Sequence, residues 1–449
     1  MSNLNELFPG CEALMEDVEI NNNVTVPTED VEAAEEAGIV AGSDEATEAG
    51  EIETDATANE AAATAFAHQF SDLCAMQSHI EKYGVDRTFL SLCNRDNVLG
   101  RAFGISMPAC ESFDSVGSPY SPVSVACMEA MGDSLWQKFK EWIKKIWQKI
   151  KNFFIRIADW FREAMGNYNL RLHKYRKWVQ DHPNAKLATK NGKISDKEVL
   201  LPNLKDTNDI NDLDKKYNEM CDKLQKDLFN NSEWQTCINE VNTLINHSVD
   251  TLQQYGNVSK DDARGGVENG RYNGNGMTEH EGSGFTGYDP SKKEAKATGK
   301  LFEKIEKLKK KIKEHDLFKF KKQKLSSIVK GGSDPATVGK GYIVQITNLL
   351  NSLTEVIKHN EEFERVRTNF SNTIDKNLDK LNNCVQRTDG GSIGAKSRSL
   401  VSNQINHVTK IVFKSGIVPV INNKIINSGF KLINGLRECL DSGNALNNE

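Results

Sequence analysis

The stretch Asp133–Met165, DSLWQKFKEWIKKIWQKIKNFFIRIADWFREAM, constrains this chain more than any other. It holds Trp136, Trp142, Trp147 and Trp160, four of the six tryptophans. At about 100° per residue these share one face with Leu135, Phe139, Ile143, Ile146, Ile150, Phe153, Phe154, Ile157 and Phe161, within an arc of roughly 140°. Lys138, Lys140, Lys144, Lys145, Lys149, Lys151 and Arg156 occupy the rest, and Ile155 is the one apolar residue off the stripe. The spacing predicts a helix about 50 Å long. Two placements satisfy it. The commoner is a core helix with its lysines in solvent; the other is a basic amphipathic helix lying on a membrane surface or on nucleic acid. It is not a membrane span, because no run approaches the roughly 20 apolar residues a crossing needs.

Charge is distributed unevenly around this element. The net charge is −6, yet residues 1–60 hold 17 Asp and Glu and no Lys or Arg, which leaves +11 on residues 61–449. Such a split suggests mutual masking of head and body, or removal of the head. Residues 1–60 are rich in Glu, Ala and Thr with little apolar periodicity, and read as a disordered acidic propeptide. Residues 61–122 read as short helices followed by a Pro/Gly linker, and 123–255 as a helical domain built on the Trp-rich helix. Within it, helical spacing stops before Pro183, residues 184–206 read as loop, and the pattern resumes from Ile210. Residues 256–290 hold nine glycines and read as a flexible loop. Residues 291–331 read as a Lys-rich helix, and 335–449 as a C-terminal helical hairpin, kinked at Pro419.

The expected fold is therefore all-α, with long amphipathic helices, helical hairpins and coiled-coil-like spacing. In the Lys-rich segment Leu301, Ile305, Leu308 and Ile312 recur at 4-3-4. Lys292 to Lys330 holds 15 Lys and five acids. Lys307, Lys309, Lys310, Lys311 and Lys313 are the candidate nucleic-acid-binding residues, through sequence-independent neutralisation of phosphates. A solvated helix face is the plainer explanation of the same residues.

Signatures of catalysis are absent from the sequence. There is no H-E-x-x-H, G-x-S-x-G, Rossmann or Walker A motif, and the nine histidines are scattered. Nine cysteines with no C-x-x-C pair indicate neither zinc nor a disulfide framework, and fit a reducing compartment. Glu279-His280-Glu281 sits in the Gly-rich segment, where nothing would preorganise a metal site. The expectation is a non-enzymatic protein without metal or cofactor, and with no secretory signal peptide.

The segment Gly104–Pro119 (GISMPACESFDSVGSP), followed by VSVACMEAMGD and the Trp/Lys-rich helix, resembles the internal head and virion structural proteins of giant, phiKZ-like tailed bacteriophages. The similarity is sharpest over residues 80–165. It implies a precursor that enters the prohead and is cut by the phage prohead protease after Glu in a small-residue–any–Glu motif. Candidate cuts follow Glu45, Glu60 and Glu111, the last in Ala109-Cys110-Glu111; Ala46-Thr47-Glu48 also fits the pattern. The implied partners are that protease, packaged DNA held non-specifically and other head proteins. The implied location is the capsid interior of the virion, after assembly in the host cytoplasm, with ejection alongside the DNA left open. Membrane contact through the Trp-rich face is the alternative.

Overall fold

The computed structural model describes residues 44–85, 122–202, 212–256, 296–329, 334–388 and 395–441. The fold is all-α. Its helices are α1 (Asp44–Tyr83), α2 (Pro122–Asp181), α3 (Leu213–Leu228), α4 (Asn231–Gly256), α5 (Lys296–Glu314), the single turn α6 (Leu325–Ile328), α7 (Pro335–Arg387), α8 (Ala395–Lys414) and α9 (Ile417–Glu438).

The Trp-rich stretch is the middle of α2, which runs unbroken for 60 residues, roughly 90 Å at 1.5 Å per residue. Gly132 and Gly166 lie within it and do not interrupt it. A glycine inside a helix costs only about 1 kcal/mol, and the aromatic stripe on either side outweighs that. Pro122 opens the helix, where its missing N–H costs nothing. At the far end α2 stops two residues before Pro183.

Against α2 lie α1 and α7. Helix α1 also packs along α8 and α9, and α7 along α4, α3 and α9. In the C-terminal region α7 thus pairs with α9, while α8 between them in sequence turns to α1 and α4. The buried apolar residues form one contiguous cluster through all of these helices.

The largest correction concerns the acidic head. Residues 1–60 read as disordered, but from Asp44 onward they are helix α1, and Ala49, Ile52 and Ala56 are buried in the core. Residues 1–43 lie outside the described residues. Before Glu60 the buried apolar residues of α1 are Ala49, Ile52 and Ala56, mostly small side chains that leave no dominant stripe for periodicity to reveal. Small residues instead let α1 approach α8 closely, where Ser71 Oγ lies 2.9 Å from Ser399 Oγ and Thr64 Oγ1 lies 3.3 Å from Asn406 Oδ1.

Residues 184–206 and 319–324 contain short strands where loop and helix were expected. β1 (Lys186–Leu187) pairs antiparallel with β6 (Leu440–Asp441), and β2 (Thr189–Lys190) with β3 (Lys193–Ile194). The turn between β2 and β3 is Asn191-Gly192, both at positive φ (53° and 73°), the dipeptide that a two-residue hairpin demands. β4 (Glu198–Pro202) pairs with β5 (Phe320–Lys324), Leu200 opposite Lys322. The long helix of the Lys-rich segment therefore ends at Glu314, and after β5 only the single turn α6 is α-helical. Its apolar positions Leu301, Ile305, Leu308 and Ile312 are buried, but against α4, α3 and α9 together rather than one coiled-coil partner. The expected kink at Pro419 falls instead at Ser415-Gly416; Pro419 sits in the first turn of α9, where a proline is tolerated.

Candidate polyanion-binding surface

The five candidate lysines of α5 do not share a face. On a 3.6-residue period, Lys307 and Lys311 flank one side of the buried stripe with Lys304, and Lys309 and Lys313 flank the other. Lys310 points between these sides and lies 4.0 Å from Glu314, in an exposed pair.

The Lys309 side is turned toward the protein. Lys309 Nζ pairs with Glu53 of α1 and is partly buried. Lys313 and Lys309 both face Lys424 of α9, whose ammonium burial and these two neighbours hold below its ordinary pKa. This flank is crowded with positive charge, and α1 supplies part of the compensation.

The opposite side opens on a cleft of about 410 Å³ between α3 and α5, lined by Asp222, Lys223, Lys226, Asp227, Lys304, Lys307, Leu308 and Lys311. A second hollow of about 460 Å³ continues from it, sharing Lys223 and Lys311 and adding Lys216, Glu219, Met220, Glu314 and His315. Here Lys304 pairs with Glu233 and Lys307 with Glu303 at 2.5 Å. Lys223 and Lys311 approach to hydrogen-bonding range of each other, which pushes the Lys223 ammonium below its ordinary pKa. Sequence reasoning named Lys307 and Lys311 but missed the α3 lysines. Lys216, Lys223 and Lys226 do sit at helical spacing around the apolar stripe Tyr217, Met220, Leu224, Leu228. What no sequence pattern shows is that α3 docks beside α5.

The aromatic face of α2 is inside. Trp136, Phe139, Trp142, Ile143, Ile150, Phe154 and Trp160 are buried, and Trp147 is half-buried with Lys151 over its ring at 5.1 Å. Phe66 of α1 stacks on Trp142 with ring centres 4.6 Å apart, and Phe70 on Phe139 at 5.0 Å. Phe154 meets Phe370 of α7 edge-on. Trp136 Nε1 donates to the Thr388 carbonyl at 2.9 Å, and Arg398, itself buried, lies over the Trp136 ring. Ile155, off the stripe, is 52% exposed. Among the described residues no helix is long and apolar enough to cross a membrane.

Of the candidate cleavage residues, Glu111 lies outside the described residues. Glu45 is in the first turn of α1 and anchors a buried polar network. Its carboxylate accepts from Arg171 Nη2 at 3.2 Å and Asn167 Nδ2 at 3.0 Å, and its carbonyl accepts from Trp160 Nε1 at 2.9 Å. Arg171 continues to Asn427 at 2.9 Å, and Asn427 and Tyr168 both donate to Asn423 Oδ1. Glu60 lies mid-helix and half-buried, with its carbonyl bonded by Thr64 Oγ1 at 2.8 Å. Burial raises its carboxyl above the ordinary range, against the pull of Lys414 and Lys410. Neither peptide bond is in the extended form a protease threads. A cut after Glu60 would also take Ala49, Ile52 and Ala56 out of the core.

Among the described residues no three His, Cys, Asp or Glu side chains gather to hold a metal. Burial pushes the thiols of Cys74, Cys221, Cys237 and Cys439 up to about 12, so they are protonated and packed rather than poised for attack. Comparison with protein-family models, with curated proteins and with solved structures finds no match to this chain.

Proposed function

We propose that this chain is a non-enzymatic structural protein packaged inside the head of a tailed phage, where its helical body lies against DNA without reading sequence. The lysine-lined cleft between α3 and α5 carries this reading, because it presents ammonium groups on rigid helices rather than in loops. Neutralising phosphates releases counterions whatever the base sequence, so such a surface binds duplex DNA wherever it meets it. The resemblance over residues 80–165 supplies the virion context. A membrane role through the Trp-rich face is less well supported, since that face is turned into the core and α1 and α7 cover it.

Maturation by a prohead protease belongs to the same proposal, under a constraint the fold imposes. Glu45 and Glu60 are held within docked α1, so cutting at either precedes docking of that helix or requires its release. The test is peptide mapping and N-terminal sequencing of the chain from purified, DNA-filled particles. Recovery of the chain with a new N-terminus after one of the three glutamates is expected. Its absence from particles would refute the virion assignment, and an intact N-terminus would refute the processing.

A further inference from the structure

The lysine side chains that serve sequence-independent binding are separable from those that hold the fold. We propose that the phosphate-contacting site is the cleft between α3 and α5, with Lys223, Lys226 and Lys311 as its contacting groups, and that Lys309 and Lys313 of the same helix α5 do not take part. This rests on the polyanion reading above and assigns its residues.

The three lysines come from two helices and converge on one open cleft. None of the three forms an ion pair with a carboxylate among the described residues, whereas Lys304, Lys307, Lys309 and Lys310 each do. Asp222 and Asp227 stand in the same cleft and limit its excess positive charge, so its ligand must offer several anionic groups rather than one. The approach of Lys223 to Lys311 across the open cleft is a like-charge contact with no attraction of its own. A phosphate oxygen placed between the two ammoniums accepts from both and removes their repulsion. The hollow past Lys216 and His315 continues the cleft along the helices, with Glu219 and Glu314 on its wall, so the phosphate contacts concentrate at Lys223, Lys226 and Lys311. On the far flank, Lys309 is paired with Glu53 of α1, and Lys313, though exposed, lies on the side of α5 away from the cleft and beside Lys424.

The chain is tested at full length, in three forms: unchanged, with Lys223→Gln, Lys226→Gln and Lys311→Gln together, and with Lys309→Gln and Lys313→Gln together. Binding to a labelled 30-base-pair duplex of arbitrary sequence is followed by anisotropy from about 50 to 200 mM salt, where each lost phosphate contact lowers the log–log slope by about 0.9. Far-ultraviolet circular dichroism confirms folding of each form. The triple variant should lose at least tenfold in affinity at low salt and two to three in slope, and the double variant should keep its slope. Equal losses in both variants, or an unchanged slope in the triple, would overturn the assignment while leaving the polyanion reading standing. No binding by the unchanged chain would remove that reading itself. Binding to vesicles containing phosphatidylserine, lost in the triple variant and without DNA binding, would give the cleft to lipid headgroups and overturn the proposal.

Discussion

Replacing Trp142 and Trp160 by phenylalanine, one at a time, separates two tryptophans that are almost equally buried but differently bonded. Both are within 3% of full burial. Either change vacates roughly one to two methylene volumes, which costs about 1 kcal/mol in a packed core. The difference lies in the indole N–H. Trp160 Nε1 donates to the Glu45 carbonyl at 2.9 Å, so Trp160→Phe also loses a net hydrogen bond of about 0.5–1.5 kcal/mol. The buried Trp142 Nε1 has no hydrogen-bond partner among the described residues, and Trp142→Phe removes that orphan, recovering about 1–3 kcal/mol of desolvation while an aromatic ring remains to stack on Phe66. Trp160→Phe should therefore destabilise by about 1.5–2.5 kcal/mol, and Trp142→Phe should be neutral or slightly stabilising. Trp142→Ala, which loses the stack as well, should cost about 3–5 kcal/mol. Urea unfolding followed by circular dichroism reads all three. Equal losses for the two phenylalanine variants would refute the assigned bonding. An unchanged midpoint for Trp142→Ala would refute burial of the stripe altogether.

Three further outcomes are expected. A chain beginning at Ala61 loses Ile52 from the core and leaves Arg171 without Glu45, so it should be less stable by at least about 3 kcal/mol in urea; a midpoint equal to that of the full chain would mean α1 is not integral. Because burial raises the Glu60 carboxyl, the favourable protonated form is fully present only below the ordinary glutamate pKa, and its stability is lost as pH rises through the raised value. Glu60→Gln should accordingly melt higher than the unchanged chain at pH 7 and lose that advantage below pH 4.5; a pH-independent difference would contradict it. Gly429→Ala would press a Cβ into the Tyr217 ring and to 2.9 Å from Leu353 Cδ2, so it should cost about 1–3 kcal/mol by thermal melting, and a neutral result would show that α9 can shift.

The stripe of α2 was legible because large aromatic residues at helical spacing have few other uses, and Ile155, the misfit, is indeed the exposed one. The first part of helix α1, before Ala61, was not legible, whereas its second part falls where short helices were expected. The buried apolar residues of the first part are Ala49, Ile52 and Ala56, too few and too small to mark a stripe in an acidic segment, while Phe66 and Phe70 further on mark the face that meets α2. The Asn191-Gly192 turn was legible in principle, but the two-residue strands beside it are too short to show alternation. β5 carries Lys321, Lys322 and Lys324 toward solvent and borrows its place from β4, so its charge concealed it within the Lys-rich segment. For the candidate surface, sequence gave a lysine-rich helix but could not divide it. Which flank is free depends on where Glu53, Lys424 and α3 arrive in space, and those lie 256, 115 and about 85 residues from Lys309 in the chain.

The most direct test of DNA association is the salt dependence of binding by the unchanged full-length chain to two duplexes of unrelated sequence. The log of the association constant should fall linearly with the log of salt concentration, with a slope of about −3 or steeper if three or more phosphates are neutralised, and with the same line for both duplexes. Binding that is absent at low salt, insensitive to salt or selective for one sequence would contradict it.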